Sequence, residues 1–198
     1  AKEEKKPVKK PHTCRWRKRA CPDFKGEDFP DFPNQEISPF GYFKMFFDDD
    51  LINHITTQTN LYSTQETGSS INTSNEEIEK LIGILMTMSY IQLPTQRLYW
   101  AEKFRIPCVA DIMSVKRFEK LKRYIHFNDN TKNFPKSDAN HDKLHKVRPV
   151  INSVLEKCLA VPREEFNSID EQIIPTKGRS SLRQYLPKKP NKWGIKVG

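Results

Sequence analysis

A change of period near residue 161 constrains this chain more than any other feature. Up to that point apolar residues recur at helical spacing; beyond it, Phe166-Asn167-Ser168-Ile169-Asp170-Glu171-Gln172-Ile173-Ile174 reads as a strand. An all-basic, proline-punctuated loop follows. Between Lys177 and Lys196 stand seven Lys or Arg (Lys177, Arg179, Arg183, Lys188, Lys189, Lys192 and Lys196) and no acid. A fold built on this pattern has a helical body and the first strands of a sheet.

Charge narrows the partner. The net charge is +9 and the pI near 9.3, which favours a polyanion such as nucleic acid and says nothing of fold. Residues 1–25 carry ten Lys or Arg against three acids. Two basic blocks therefore flank a body in which acids slightly outnumber bases, a tail at one end and a site at the other. Four cysteines, Cys14, Cys21, Cys108 and Cys158, are too scattered for a disulfide framework, which points to a reducing compartment. Cys14 and Cys21 with His12 raise a zinc site only weakly, since no second ligand pair accompanies them. Cys158, in an apolar helical pattern, reads as a small core hydrophobe. No run approaches the roughly 18 apolar residues of a membrane span, and the basic opening lacks the apolar stretch of a secretory signal.

Residues 1–37 read as an extended basic tail, whose Lys5–Pro11 and Arg15–Arg19 runs suit nuclear import or DNA contact. Residues 38–163 read as helical. Ser38 with Pro39, Asp48, Ser74 or Asn75, and Ser114 are successive helix N-caps. The cluster Asp48-Asp49-Asp50 complements a helix dipole more readily than it holds a metal. A long helix is expected from about Asp142, kinked at Pro149 and closed by Pro162, with Val154, Leu155 and Cys158 inward. Ile82, Leu85, Trp100, Phe118 and Leu121 complete the expected core. The helix from Val115 turns outward a face of Lys116, Arg117, Lys120, Lys122 and Arg123.

In the C-terminal run, alternation sets Asp170 and Glu171 on opposite faces. A strand acid commonly faces solvent or an ion pair, and Arg179 or Lys196 is a possible partner for either. A carboxylate beside a cationic loop also suits metal-assisted chemistry on a phosphate backbone. Trp193-Gly194-Ile195-Lys196-Val197 reads as a second strand, antiparallel to the first.

The run from Ser168 to Lys196 resembles the start of the catalytic domain of piggyBac-type transposases. The shared pattern is an acid in a Ser-x-Asp-Glu strand, then Lys-Gly-Arg, then Tyr-x-Pro-x-Lys-Pro-x-Lys-Trp-Gly-x-Lys. Upstream, Phe46–Ile52, Thr59-Asn60-Leu61-Tyr62, Arg97–Trp100, Arg117-Phe118, His126–Asn130 and Asp142–Pro149 resemble the family in order, so the similarity spans roughly residues 40–198. It implies a mainly α, helical dimerisation and DNA-binding region leading into an RNase H-like α/β catalytic domain, whose first strands occupy residues 164–198. It implies three aspartates holding Mg²⁺ or Mn²⁺, with Asp170 as the first catalytic and metal-binding acid. It also implies DNA contacts by Lys177, Arg179 and Lys192, to which the charge of the same loop adds Arg183, Lys188 and Lys189, and it implies a homodimer and a nuclear location. Thr176 departs from the family, which usually has a large apolar or aromatic residue there. The second and third acids and the family's Cys-rich zinc module are expected on later segments not among these 198 residues, so no cleavage is expected of this chain alone. A non-catalytic, domesticated DNA-binding or dimerisation protein is the alternative.

Overall fold

A computed structural model of the chain describes residues 37–162, 168 and 170–197. Six α-helices come first: α1 (Pro39–Phe46), α2 (Asp49–Thr67), α3 (Asn75–Tyr90), α4 (Pro107–Ala110), α5 (Val115–Tyr124) and α6 (Arg148–Ala160). Short 3-10 turns at Gln96–Trp100, Glu102–Phe104 and Asn130–Lys132 join them. Three strands close the described chain: β1 (Gln172–Pro175), β2 (Arg183–Tyr185) and β3 (Trp193–Val197). No described helix is long and apolar enough to cross a membrane. The basic tail, with Cys14 and Cys21, lies outside the described residues.

The helices begin where their caps stand. Ser38 Oγ accepts from Gly41 N, Asp48 Oδ1 from Leu51 N, Ser74 Oγ from Glu77 N and Ser114 Oγ from Arg117 N, at 2.9–3.4 Å. Each bond satisfies an amide that the first turn leaves without a partner. α2 stops at Gly68, whose φ of 73° is the left-handed cap conformation.

Two apolar clusters hold this body. One joins Ile71, Leu81, Ile84, Tyr99, Val109, Met113, Phe118 and Leu121. The other joins Leu51, Ile52, Ile55 and Ile78. Ile82 and Trp100 pack partly buried against these clusters, and Phe118 and Leu121 are fully buried, as the spacing predicts. Leu85, Leu155 and Cys158 are exposed instead. On α3 the buried positions are Ile78, Leu81 and Ile84, a narrower arc than its apolar sequence suggests, because neighbouring elements cover one side only. α6 buries no residue fully.

α6 also starts later than its sequence suggests. Asp142 accepts from Leu144 N at 2.9 Å and takes the Arg148 guanidinium at 2.7 and 2.8 Å, which holds residues 143–147 in turns. Pro149 then sits in the first helical turn, where its fixed φ starts a helix and its missing N–H costs nothing. It does not kink the helix.

The sheet order is β1-β3-β2, antiparallel throughout, with Gln172 opposite Val197 and Tyr185 opposite Trp193. β3 forms where expected and runs against β1. The first strand is shorter than the alternation suggests. Pairing starts at Gln172, so Ser168, Asp170 and Glu171 precede the strand, while Phe166, Asn167 and Ile169 lie outside the described residues. β2 falls in what reads as loop. At the centre, a Cβ on Gly194 would stand 2.5 Å from both Ile173 Cγ2 and the Ile174 carbonyl oxygen, so the two backbones approach only because position 194 lacks one.

Candidate nucleic-acid interface

The basic loop doubles back on the acids that precede β1. Leu186 N donates to the Lys192 carbonyl at 2.7 Å and Lys189 N to the Leu186 carbonyl at 3.2 Å, closing a compact turn between β2 and β3. That turn delivers Lys189 Nζ to Asp170 Oδ1 at 3.1 Å, to the Glu171 carbonyl oxygen at 3.1 Å and to Glu171 Oε2 at 3.6 Å. Lys196 Nζ holds Glu171 Oε1 at 2.8 Å.

The electrostatics follow from these contacts. The Glu171 amide, donating at 2.8 Å, and then the Lys189 ammonium hold the Asp170 carboxyl below its ordinary range. Lys196, then Lys189, do the same for Glu171. Asp170, chiefly, raises Lys189 in turn. Alternation would set the two acids on opposite faces, yet one ammonium reaches both. Asp170 and Glu171 lie before the first paired residue, so no pleat separates them.

The six cations marked by the sequence divide into three groups. Lys189 is engaged by the acids. Arg183 lies on the sheet, its guanidinium carbon 4.4 Å from the centre of the Trp193 ring. Lys177, Arg179, Lys188 and Lys192 are exposed and make no ion pair among the described residues. The Trp193 and Tyr185 rings, 4.9 Å apart and inclined at 49°, complete a cluster that sequence reasoning missed. Its one signal is the two-residue spacing of Arg183 and Tyr185, which has meaning only once that segment is a strand.

The donor chemistry of Asp170 and Glu171 suits a hard cation, but their number does not. Such an ion takes about six oxygen ligands. Among the described residues no group of three or more His, Cys, Asp or Glu is arranged so that it could hold a metal ion. The described residues therefore do not themselves form a two-ion site.

Most of the upstream motif residues are absorbed by the fold. Thr59 Oγ1 accepts from His126 N at 3.2 Å, Asn60 bonds both N and O of Thr73 at 2.9 Å, and the Tyr62 ring stacks on His126 at 4.0 Å. Asn128 donates to the His145 carbonyl at 2.8 Å, and His145 Nε2 donates to the Asp129 carbonyl at 2.8 Å. Arg117 faces inward: it bonds Glu77 at 2.5 and 2.8 Å and donates to the carbonyls of Ile71 and Asn72. Trp100 Nε1 donates to the Met113 carbonyl at 2.7 Å. On the outer face of α5, Lys116, Lys120 and Arg123 remain exposed, and Lys122 donates to Gln96.

Residues 38–197 match the family described as Transposase IS4, which is most of the chain. Human piggyBac transposable element-derived protein 2 is 34% identical over 208 residues, covering 100% of this chain and 34% of its own length. The chain belongs to the piggyBac element-derived transposase family. The human piggyBac transposable element-derived protein 3 is 30% identical over 169 residues, covering 84% of this chain and 28% of that protein. A piggyBac transposase solved by cryo-EM in a synaptic complex with hairpin DNA superposes with a TM-score of 0.69 at 26% identity, over 81% of this chain and 35% of that one. This family member thus spans about a third of the length of the curated relatives it matches.

Proposed function

We propose that this chain is the DNA-binding portion of a piggyBac-like transposase or a domesticated derivative, and that Asp170 is the first of its three metal-binding aspartates. The observation that carries the reading is the likeness of this fold, with four loop cations unpaired among the described residues, to a transposase solved on hairpin DNA. In this reading residues 38–163 are a dimerisation and DNA-binding region, and residues 164–198 begin an RNase H-like domain. The assembled protein is a nuclear homodimer. Lys177, Arg179, Lys188 and Lys192 lie along the phosphate backbone, where long cationic side chains position DNA without reading bases. Arg183 and Lys189 act beside them, Lys189 by holding the acids.

Mg²⁺ or Mn²⁺, bound by Asp170 with carboxylates of a longer protein, would supply the charge that strand cleavage and transfer require. This chain's own contribution is one carboxylate kept ionised by its neighbours. A second reading, a non-catalytic DNA-binding derivative, draws on the Lys189 ammonium already seated on Asp170.

Two measurements test the proposal. Duplex DNA should bind with steep salt dependence, and replacing Lys177, Arg179, Lys188 and Lys192 by Ala should flatten the log–log slope by up to about 3–4 units. An unchanged slope would move the contact elsewhere. In a longer protein carrying the other acids, Asp170→Asn should abolish cleavage of transposon-end DNA while leaving binding nearly intact, and Glu171→Gln should cost much less. Equal losses, or cleavage by Asp170→Asn, would remove Asp170 as a metal ligand. Absence of cleavage in every intact, DNA-binding form of the longer protein would favour the second reading.

A further inference from the structure

The β2–β3 face carries a cluster that the phosphate-binding loop does not explain. Tyr185 stands directly opposite Trp193 in the register, so the two rings share one face of the sheet. Arg183, two residues before Tyr185, shares it too and lays its guanidinium over the Trp193 ring. The side chains hold one another in place, yet Trp193 remains 49% exposed and Tyr185 50% exposed. Arg183 Nε is buried and has no hydrogen-bond partner among the described residues. An arginine held this way is spent on the ring and not on a carboxylate.

The surroundings select the occupant. The segment joining the two rings is the compact turn of residues 186–192, and it carries Lys188 and Lys192 exposed, with Lys192 adjacent to Trp193. Lys177 and Arg179 stand in the segment between β1 and β2. No acid occurs between Lys177 and Lys196. Half-exposed aromatic rings set in a run of cations that contains no acid are the combination that holds single strands: phosphates go to the cationic side chains and nucleobases stack on the rings. Duplex DNA, whose bases are already stacked on one another, engages only the cations.

We propose that Trp193 and Tyr185, backed by Arg183, form a stacking platform for an unpaired nucleobase of single-stranded DNA. The proposal rests on the DNA-binding reading above and goes beyond it, because it assigns the rings a task that charge neutralisation does not require. The platform is tolerant of base identity, since every base has a π face, and it takes the strand by its rings while the neighbouring lysines take its phosphates. Arg183 is a positioning residue: it fixes the indole and contributes its charge through the ring.

The test uses the whole chain and fluorescence anisotropy at one fixed salt concentration. Three labelled probes of equal length are compared: a single-stranded oligo-dT, a strand of abasic sugar-phosphate, and a duplex. Oligo-dT should bind about tenfold tighter than the abasic strand. Trp193→Leu, which keeps apolar bulk but removes the π face, should erase that preference and leave duplex affinity unchanged. Trp193→Phe should retain most of the preference. Equal binding of oligo-dT and abasic strands by the unaltered chain overturns the platform, whatever the variants do. A preference that survives Trp193→Leu overturns it as well and places the base stacking away from the indole. Duplex binding without the oligo-dT preference removes the platform alone, whereas no binding to any of the three removes the DNA reading with it. Because the first comparison needs no substitution, a variant that fails to fold does not blunt the test.

Discussion

Gly194 shows how narrowly one residue can be specified by its neighbours. A side chain there would meet Ile173 and the Ile174 backbone at 2.5 Å, and backbone cannot rotate away as a flexible side chain does. Gly194→Ala should therefore destabilise the β1–β3 pairing by about 1–3 kcal/mol, read as faster amide exchange across the strands. Glu77 is a second case. Arg117, chiefly, holds its carboxyl below the ordinary value of 4.5, and the same guanidinium ties α5 to the carbonyls of Ile71 and Asn72. Folding thus favours the ionised form. The stability from this pair is present above pH 4.5 and is lost as pH falls below it. Glu77→Gln should remove that acid-side loss, so the gap in stability between it and the unaltered chain should shrink as denaturation is followed from pH 6 down to pH 3.

At the scale of elements, the connections of α2 depend on polar bonds as much as on apolar packing. Thr59, fully buried, accepts from the His126 amide and donates to its carbonyl at 3.3 Å. Thr59→Val keeps the shape and strands that amide, which should cost about 1–3 kcal/mol. The His126 amide should then exchange faster with solvent than its neighbours. α5 and α6 offer a contrast. Leu121 is fully buried among the residues of the larger cluster, so Leu121→Ala should cost about 2–5 kcal/mol. Leu155 is exposed on α6, and Leu155→Ala should stay within about 0.5 kcal/mol. Chemical denaturation of the two variants checks both, and a large loss at Leu155 would show that something covers α6 in solution.

For the whole molecule, charge is sorted by the fold into structural and available sets. Arg97, Arg105, Arg117, Arg148, Lys44, Lys80 and Lys157 each pair with an acid in the helical body. Asp48 and Asp142 are lowered as Glu77 is, the first by Lys157 and the second to about 2 by Arg148. All three contribute stability above the ordinary carboxylate range that disappears as pH falls. Acid should therefore lower the stability of the helical body as pH falls through the carboxylate range, while raising salt at neutral pH should weaken DNA binding and leave the fold largely in place. Circular dichroism and binding measured on the same samples would separate the two responses.

The local features of the chain are legible in its amino-acid order alone. Ser38, Asp48, Ser74 and Ser114 announce themselves as caps because each bonds an amide three residues away, and β3 is legible from its own alternation. The same holds for Phe118 and Leu121, whose burial follows from helical spacing. What only the tertiary structure decided depends on elements distant in sequence. Whether Leu85 or Ile84 is buried depends on which side of α3 the neighbouring elements cover. The start of α6 depends on Asp142 capturing Arg148 rather than leaving residues 142–147 to helix. Lys196 takes Glu171, as the sequence allowed, but Asp170 takes Lys189, which the sequence did not offer, because of the turn closed between Leu186 and Lys192. Trp193 and Tyr185 meet only because antiparallel pairing sets them opposite one another. Bonds within a helical turn are determined by sequence; contacts across tens of residues are determined by packing.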